Sequence, residues 1–299
     1  MTTTIERQSE QSPSITPVNA AARRPRKFRI RSLGGTLGLI AVGLVFLVPF
    51  YWMLSSAFKP EAEIYQWPLQ WIPSTITFDH FARAWEAVPF GQFFVNSVIV
   101  TAAGSTLKVL LAVFSAHAFA FLRFPGKKFV FFAVLGALMV PGHVTLLINY
   151  ITIGNLGLLN TYAGIFLPGL ASAFGTFLLR QHFLSLPKEV LEAAELDGCG
   201  HLRRLIHFVL PMSKPAVVTV ALIAVIDEWN DFIWPLLVTN TLQARTLPIG
   251  LMFLKETEGV DQWGPIMAGT SLVILPMLLL FLLAQRYIVD GLAGAAVRR

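Results

Sequence analysis

From Leu33 to Phe58 the chain carries no charged residue, and long apolar runs recur at about 92–121, 129–179, 212–238 and 263–285. A helix needs about 20 predominantly apolar residues to cross a bilayer. The uncharged run 129–179 is too long for one crossing, and the more polar stretch "NYITIGNLGLLN" at 149–160 divides it. The pattern predicts six spans: 33–55, 92–121, 129–149, 161–180, 212–238 and 263–285. Transmembrane strands would show about ten alternating residues each, and these runs are far longer. The expected fold class is all-α integral membrane, with no tandem repeat evident.

The polar segments give the topology. Residues 1–22 are rich in Ser, Thr, Gln and Pro and read as a disordered tail. Residues 23–31, "RRPRKFRIR", add six positive charges, so 1–30 is expected to be a basic cytoplasmic tail and 31–299 one transmembrane domain. The first apolar run is too long for a signal peptide and ends at "FKPEAE", without small residues for cleavage. Lys and Arg in the tail, at 123–128, at 180–214 and after the last span number seventeen, against four on the other side. Basic residues favour the cytoplasmic face, so both termini are expected there, in a bacterial or archaeal cytoplasmic membrane. The segments 59–90 and 240–262 then face outward. The first holds Trp67, Trp71 and Trp85 with four acids, a composition suited to interface anchoring and to docking an external protein.

Composition narrows the class. Only 13% of residues are Asp, Glu, Lys or Arg, about half the usual share in soluble domains, and the mean hydropathy is +0.64. The net charge of +6 would suit nucleic acid in a soluble protein, but here the inside-positive asymmetry accounts for it, and no nucleic-acid partner is expected. The lone Cys199 excludes an intramolecular disulfide and a multi-cysteine metal site.

One cytoplasmic segment stands apart. The stretch "SLPKEVLEAAELDGCGHLRRLIHFVLP" at 185–211 has four acids and three basic residues after a long uncharged run. Pro187 suits a first helical turn and Glu189 the positive end of the helix dipole. Leu191 and Ala194 share a face. Asp197-Gly198 and Gly200 interrupt, and a second short helix is expected over 201–209. It would carry Leu202, Leu205, Ile206 and Val209 on one face and Arg203, Arg204 and His207 nearer the other, until Pro211 ends or kinks it. Pattern alone leaves two readings: an interfacial helix among lipid headgroups, or a docking surface.

"EAAELDG", with Ile206 and Leu210-Pro211 downstream, resembles the EAA motif of ABC-importer permease subunits. The preceding "LPKEVLEAA" fits the same pattern, with Val190 where Leu is usual and Cys199 where Ala is common. "NLGLLNTYAGIFLP" at 155–168, "EWNDFIWPL" at 228–236 and "QRYIVDGLAGAAV" at 285–297 are similar to further blocks of the carbohydrate-importing subclass. The last is similar to the second permease subunit of maltose systems. The resemblance covers about 30–299. It implies a six-helix ABC-importer transmembrane domain with a cytoplasmic coupling helix. That helix would meet an ATPase through Glu192, Ala193, Ala194, Asp197, Gly198, Leu210 and Pro211. The implied partners are a second permease forming a heterodimer, two ATPase subunits, an extracytoplasmic substrate-binding protein and a carbohydrate substrate. No cofactor is expected on this chain. It has no G-x-x-x-x-G-K-[ST], so ATP and Mg would sit on the partner ATPase.

Ionisable residues within spans usually face a bundle interior or a pathway. Here they are Lys108, His117, His143, Asp227, Glu228 and Asp231. Asp227 and Asp231, four apart, are expected to share a helix face. With Trp229, Asn230, Asn149 and Tyr150 they form the candidate substrate path, since carboxylates and amides bond hydroxyls and aromatics stack on sugars. The other reading is that these groups pair with neighbouring helices or sit in the interface belt. Neither H-E-x-x-H nor G-x-S-x-G occurs, and the chain is not expected to be an enzyme. An ion-coupled secondary transporter of small polar solutes is the rival function, since such carriers also place acids on broken helices.

Overall fold

The computed structural model describes residues 31–258 and 262–296, with side chains described at 34–257 and 262–285. The tail expected at 1–30 lies outside the described residues. Among the described residues every regular element is helical. Two compact units are distinguished, Met1–Val48 and Pro49–Arg299. In the first, the described residues are the N-terminal part of helix α1 (Arg31–Ala57), which carries no charged residue after Arg31.

The second unit continues with short α2 (Glu61–Ile64), α3 (Asp79–Ala87) and the long α4 (Phe90–Phe121). Then come α5 (Lys127–Ala137), α6 (Leu146–Asn155), α7 (Tyr162–Phe166), α8 (Ala173–Leu184) and α9 (Lys188–Leu196). The chain proceeds through α10 (His201–Arg204), α11 (Leu210–Met212), α12 (Lys214–Asn230), α13 (Ile233–Val238), α14 (Leu247–Glu258) and α15 (Trp263–Ala296). Three helices are long and apolar enough to cross a membrane: Gly34–Ala57, Phe90–Phe121 and Trp263–Gln285. Three bent pairs meet the same test jointly, so by length and composition the described residues hold up to six spans.

The bends fall where backbone chemistry breaks helices. The expected span 129–149 is α5 and α6, turned by 95° about Pro141-Gly142. Pro141 has no N–H to continue the ladder and pushes its predecessor away from helical geometry. The expected span 161–180 is bent by 50° between the turn Leu167–Gly169, which holds Pro168, and α8. The expected span 212–238 is not continuous. Helix α12 ends at Asn230, Asp231 is extended, and α13 begins at Ile233. Pro235 explains this, because a helix running through 231–235 would set its ring against the Asp231 carbonyl. Asp227 and Asp231 therefore do not share a helix face, contrary to the sequence expectation.

Helix α4 is the central post of the second unit. Its buried face is small and polar in part: Ser97, Thr101, Gly104, Ser105, Ala112 and Ala116. Small side chains let helix backbones approach closely in lipid, where dispersion and hydrogen bonds drive packing. A Cβ at Gly104 would stand 2.9 Å from Phe166 Cβ, and one at Gly175 would stand 3.2 Å from Ala112 Cβ. One apolar core joins Ala112, Val113 and Ala116 of α4 to Leu179 and Phe183 of α8, Leu191 of α9, and Val220 of α12.

The segment 240–262, expected as a loop, contains α14. Leu247 and Leu254 are fully buried and Gly250 lies against Phe93, so helical spacing turns one apolar face onto α4. Asn96 of α4 donates to the carbonyls of Gln243 and Arg245, both at 2.8 Å, and Leu247 N donates to Ser97 Oγ at 2.7 Å. The segment 59–90 is also ordered by internal bonds. Lys59 is fully buried, donates to Gln70 O at 2.5 Å and lies 4.0 Å from the Trp52 ring; burial pushes its ammonium pKa down, against the opposing pull of Glu63. Trp67 remains 84% exposed.

Candidate functional site

Two places in the second unit gather chemistry. The first is a cavity of about 520 Å³ lined from α4, α6, α12 and α13 and from the break before α6. The helix break at Pro141-Gly142 brings His143 to its wall, and the break at Asp231 exposes the end of α12 to it. Lys108 and Glu228 line it and form an ion pair at 2.6 Å, with side chains 14% and 7% exposed. Asp227, Asn230, Asp231 and Asn149 also line it. Gly104 and Gly169 leave room for the pair: a Cβ at Gly104 would stand 2.9 Å from Glu228 Oε2, and one at Gly169 3.6 Å from Lys108 Nζ.

The two amides are anchored but not used up. Asn230 Nδ2 donates to Ile226 O at 2.8 Å, and Asn149 Nδ2 donates weakly to Thr145 Oγ1 at 3.4 Å. No group of three or more His, Cys, Asp and Glu among the described residues is arranged to hold a metal ion. The wall is thus suited to hydrogen-bonding a polar solute.

The second place is α9 and its continuation. Pro187 caps the helix N-terminus and Glu189 lies in the first turn. At the other end Asp197 is the C-cap and Gly198 takes φ +74°. Cys199 N donates to Ala194 O and Gly198 N to Glu195 O, both at 3.0 Å, which is the Schellman pattern. Leu191 is buried in the main core, and Ala194 is buried too. Glu192, Ala193, Glu195, Asp197 and Gly198 are exposed, as is Leu196 at 90%.

The continuation departs from the sequence expectation in two ways. Arg204 is buried, although Arg203 and Arg204 were both placed on the polar side. Its Nη1 bonds Glu195 Oε2 at 3.0 Å, its Nη2 lies 3.1 Å from His201 Nδ1, and its guanidinium carbon is 5.5 Å from the Phe121 ring centre. The expected apolar face also splits: Leu205 and Val209 are buried, while Leu202 and Ile206 are half exposed or more. The cause is a π-turn over Leu205–Val209, which widens the helix and rotates the face. Pro211 does not end the helix. It sits in α11, and the chain turns by 85° at buried Ser213.

Residues 108–293 match the family described as the binding-protein-dependent transport system inner membrane component. This chain belongs to that family. The permease is 34% identical over 264 residues to the sn-glycerol-3-phosphate transport system permease protein UgpE of Yersinia pestis bv. Antiqua (strain Antiqua), covering 86% of this chain and 94% of that one. It is 35% identical over 277 residues to the probable ABC transporter permease protein YurM of Bacillus subtilis (strain 168), covering 91% of each. Its fold matches that of a bacterial ABC transporter involved in the import of the acidic polysaccharide alginate, with a TM-score of 0.75 at 21% identity over 88% of this chain and 99% of that one. It is a multi-pass membrane component of a transport system and a transport permease subunit.

Within the permease, the expected path residues divide. Asn149, Asp227, Asn230 and Asp231 meet at the cavity. Trp229 does not: it is buried, donates from Nε1 to Val273 O at 3.2 Å, and packs edge-on to Phe94. Tyr150 packs against the core of Val100, Ile153 and Trp234. Sequence reasoning noted Lys108 and Glu228 as ionisable residues in spans but not their pairing. Of the expected coupling residues, Glu192, Ala193, Asp197, Gly198 and Pro211 are exposed, Leu210 is partly so, and Ala194 is buried within the chain itself.

Proposed function

We propose that this chain is one permease half of an ATP-driven, binding-protein-dependent importer of a sugar or oligosaccharide. The α9 segment would be the coupling helix, and the cavity beside Lys108 and Glu228 this chain's share of the substrate path. In this reading 1–30 is a cytoplasmic tail and 31–299 the transmembrane domain, with both termini cytoplasmic. The companions are a second permease, two ATPase subunits that hold ATP and Mg, and an external binding protein. The solved alginate transporter, described in complex with a pentasaccharide-bound periplasmic protein, supports the last of these by analogy of fold.

The observation that carries the reading is the construction of α9. Its inner face is fixed by Leu191 and Ala194, its end by the Schellman turn, and its flank by Arg204. What remains outward is a rigid edge of Glu192, Ala193 and Leu196, acidic and apolar together. An interfacial helix would turn all its large apolar residues to lipid, and here Leu191 points into protein while Leu196 stands among acids on the exposed edge. Such an edge suits a groove on a partner that moves as one body with it.

Cytoplasmic spans of charge at 180–214 support the orientation. The polar cavity supports a second permease, because charged side chains at membrane depth face protein or water rather than lipid. Affinity purification of the detergent-solubilised protein tests the assembly. The expected result is co-purification of an ATPase and a second permease in equal amounts of each permease. Recovery of this chain alone, together with uptake that follows an ion gradient, would favour the secondary-transport reading.

A further inference from the structure

The cavity has a one-sided chemistry. Among the described residues one Lys lines it, paired with Glu228 at 2.6 Å, and no Arg does. Asp227 and Asp231 line the same wall and neither forms an ion pair among the described residues; Asp231 also accepts from the backbone N–H groups of Phe232 and Trp234. The amide oxygens of Asn149 and Asn230 add two more acceptors without a hydrogen bond among the described residues. The wall therefore offers carboxylate and amide oxygens in excess, and its cation is already neutralised.

Hydrogen-bond complementarity selects the ligand. Phosphate and carboxylate groups bring acceptors only, and sites that hold them present free Arg or Lys. Here such a group would meet like charge and no available donor of charge. Hydroxyl groups bring donors, and a carboxylate can accept from two neighbouring hydroxyls. We infer that the cavity admits uncharged, hydroxyl-rich solutes and excludes anionic ones. This rests on the reading of the chain as an import permease and narrows its substrate class. It sets this permease apart from relatives named for a phosphate ester or an acidic polysaccharide.

The electrostatic claim is tested directly in the whole complex. Cys199 is the sole cysteine of this chain, so an Asn230→Cys probe can be read on this chain, separated from its companions after labelling, in a Cys199→Ser background, with Asn149→Cys as an independent second probe. Each is labelled with a cationic trimethylammonium methanethiosulfonate and with its anionic sulfonate counterpart. The rate ratio is normalised to that of mercaptoethanol in solution. The expected result is a ratio favouring the cation by about tenfold, falling by about threefold or more for each of Asp227→Asn and Asp231→Asn. Equal normalised rates, insensitivity to both Asp→Asn changes, or no labelling at either probe overturns the inference. A parallel arm screens solutes for stimulation of ATP hydrolysis by the complex with its binding protein. Stimulation by sn-glycerol 3-phosphate or a uronate oligomer also overturns it. If no ATPase assembles with the chain, the import reading fails, and the labelling ratio still decides the charge of the cavity.

Discussion

Gly198 isolates the turn from the contact. It takes φ +74°, and a Cβ built there would meet nothing within 4 Å. Substitution thus costs backbone conformation and no steric collision. An L-residue in this region costs about 1–2 kcal/mol relative to glycine, with Asn at the low end because it visits the left-handed region more readily. A β-branched residue costs more. The expected series in loss of coupling is Asn, then Ala, then Val. About 1.4 kcal/mol displaces a local equilibrium tenfold, so a helix end held mainly by two Schellman bonds should fray measurably with Ala. The assay is the ratio of sugar transported to ATP hydrolysed in proteoliposomes, with the amount of bound ATPase measured alongside. If Asn uncouples as fully as Val while both variants retain normal folding, the turn is not what matters. Gly198 would then be a contact whose space the partner itself fills.

Other outcomes follow from the same geometry. Lys108→Met leaves Glu228 buried and unpaired and should lower stability by about 3–5 kcal/mol, whereas Lys108→Met with Glu228→Gln should recover most of it; thermal unfolding in detergent reads both. Leu191→Ala should cost about 2–4 kcal/mol by opening the core under α9. Ala193→Trp, on the exposed edge, should leave melting unchanged and lose the ATPase in purification. Asn160 accepts from Asn240 N at 2.6 Å and Thr241 N at 3.1 Å while holding φ +60°. Asn160→Ala should therefore destabilise the α13 end by about 1–3 kcal/mol, and Asn160→Asp by less, as read by hydrogen exchange there.

Much of the membrane architecture is legible in the sequence because long apolar runs and prolines act locally. The runs at 33–55, 92–121 and 263–285 coincide with helices to within a few residues. Pro141-Gly142 and Pro235 mark the breaks, although the apolar run 212–238 by itself predicts one continuous helix across the second. Helix α14 was legible too, since Leu247 and Leu254 recur one apolar face apart, but its flanking polar residues drew the segment into a loop. The burial of Arg204 was not. Its partners Glu195, His201 and Phe121 come together only after α9 folds back on α4. Lys108 and Glu228 lie 120 positions apart, and no local pattern joins them. Trp229 shows the opposite difficulty, because an indole beside polar residues suits a sugar platform and a core equally well. The hydrogen bond of Trp229 to Val273 settles it in the core.

The most direct measurement is uptake by proteoliposomes holding this chain with its companion permease, ATPase and binding protein. The account predicts sugar accumulation that requires ATP inside the cytoplasmic-equivalent compartment, ceases when the ATPase cannot hydrolyse, and persists when ion gradients are collapsed by ionophores. Accumulation that survives without hydrolysis and vanishes with the ion gradient would contradict it.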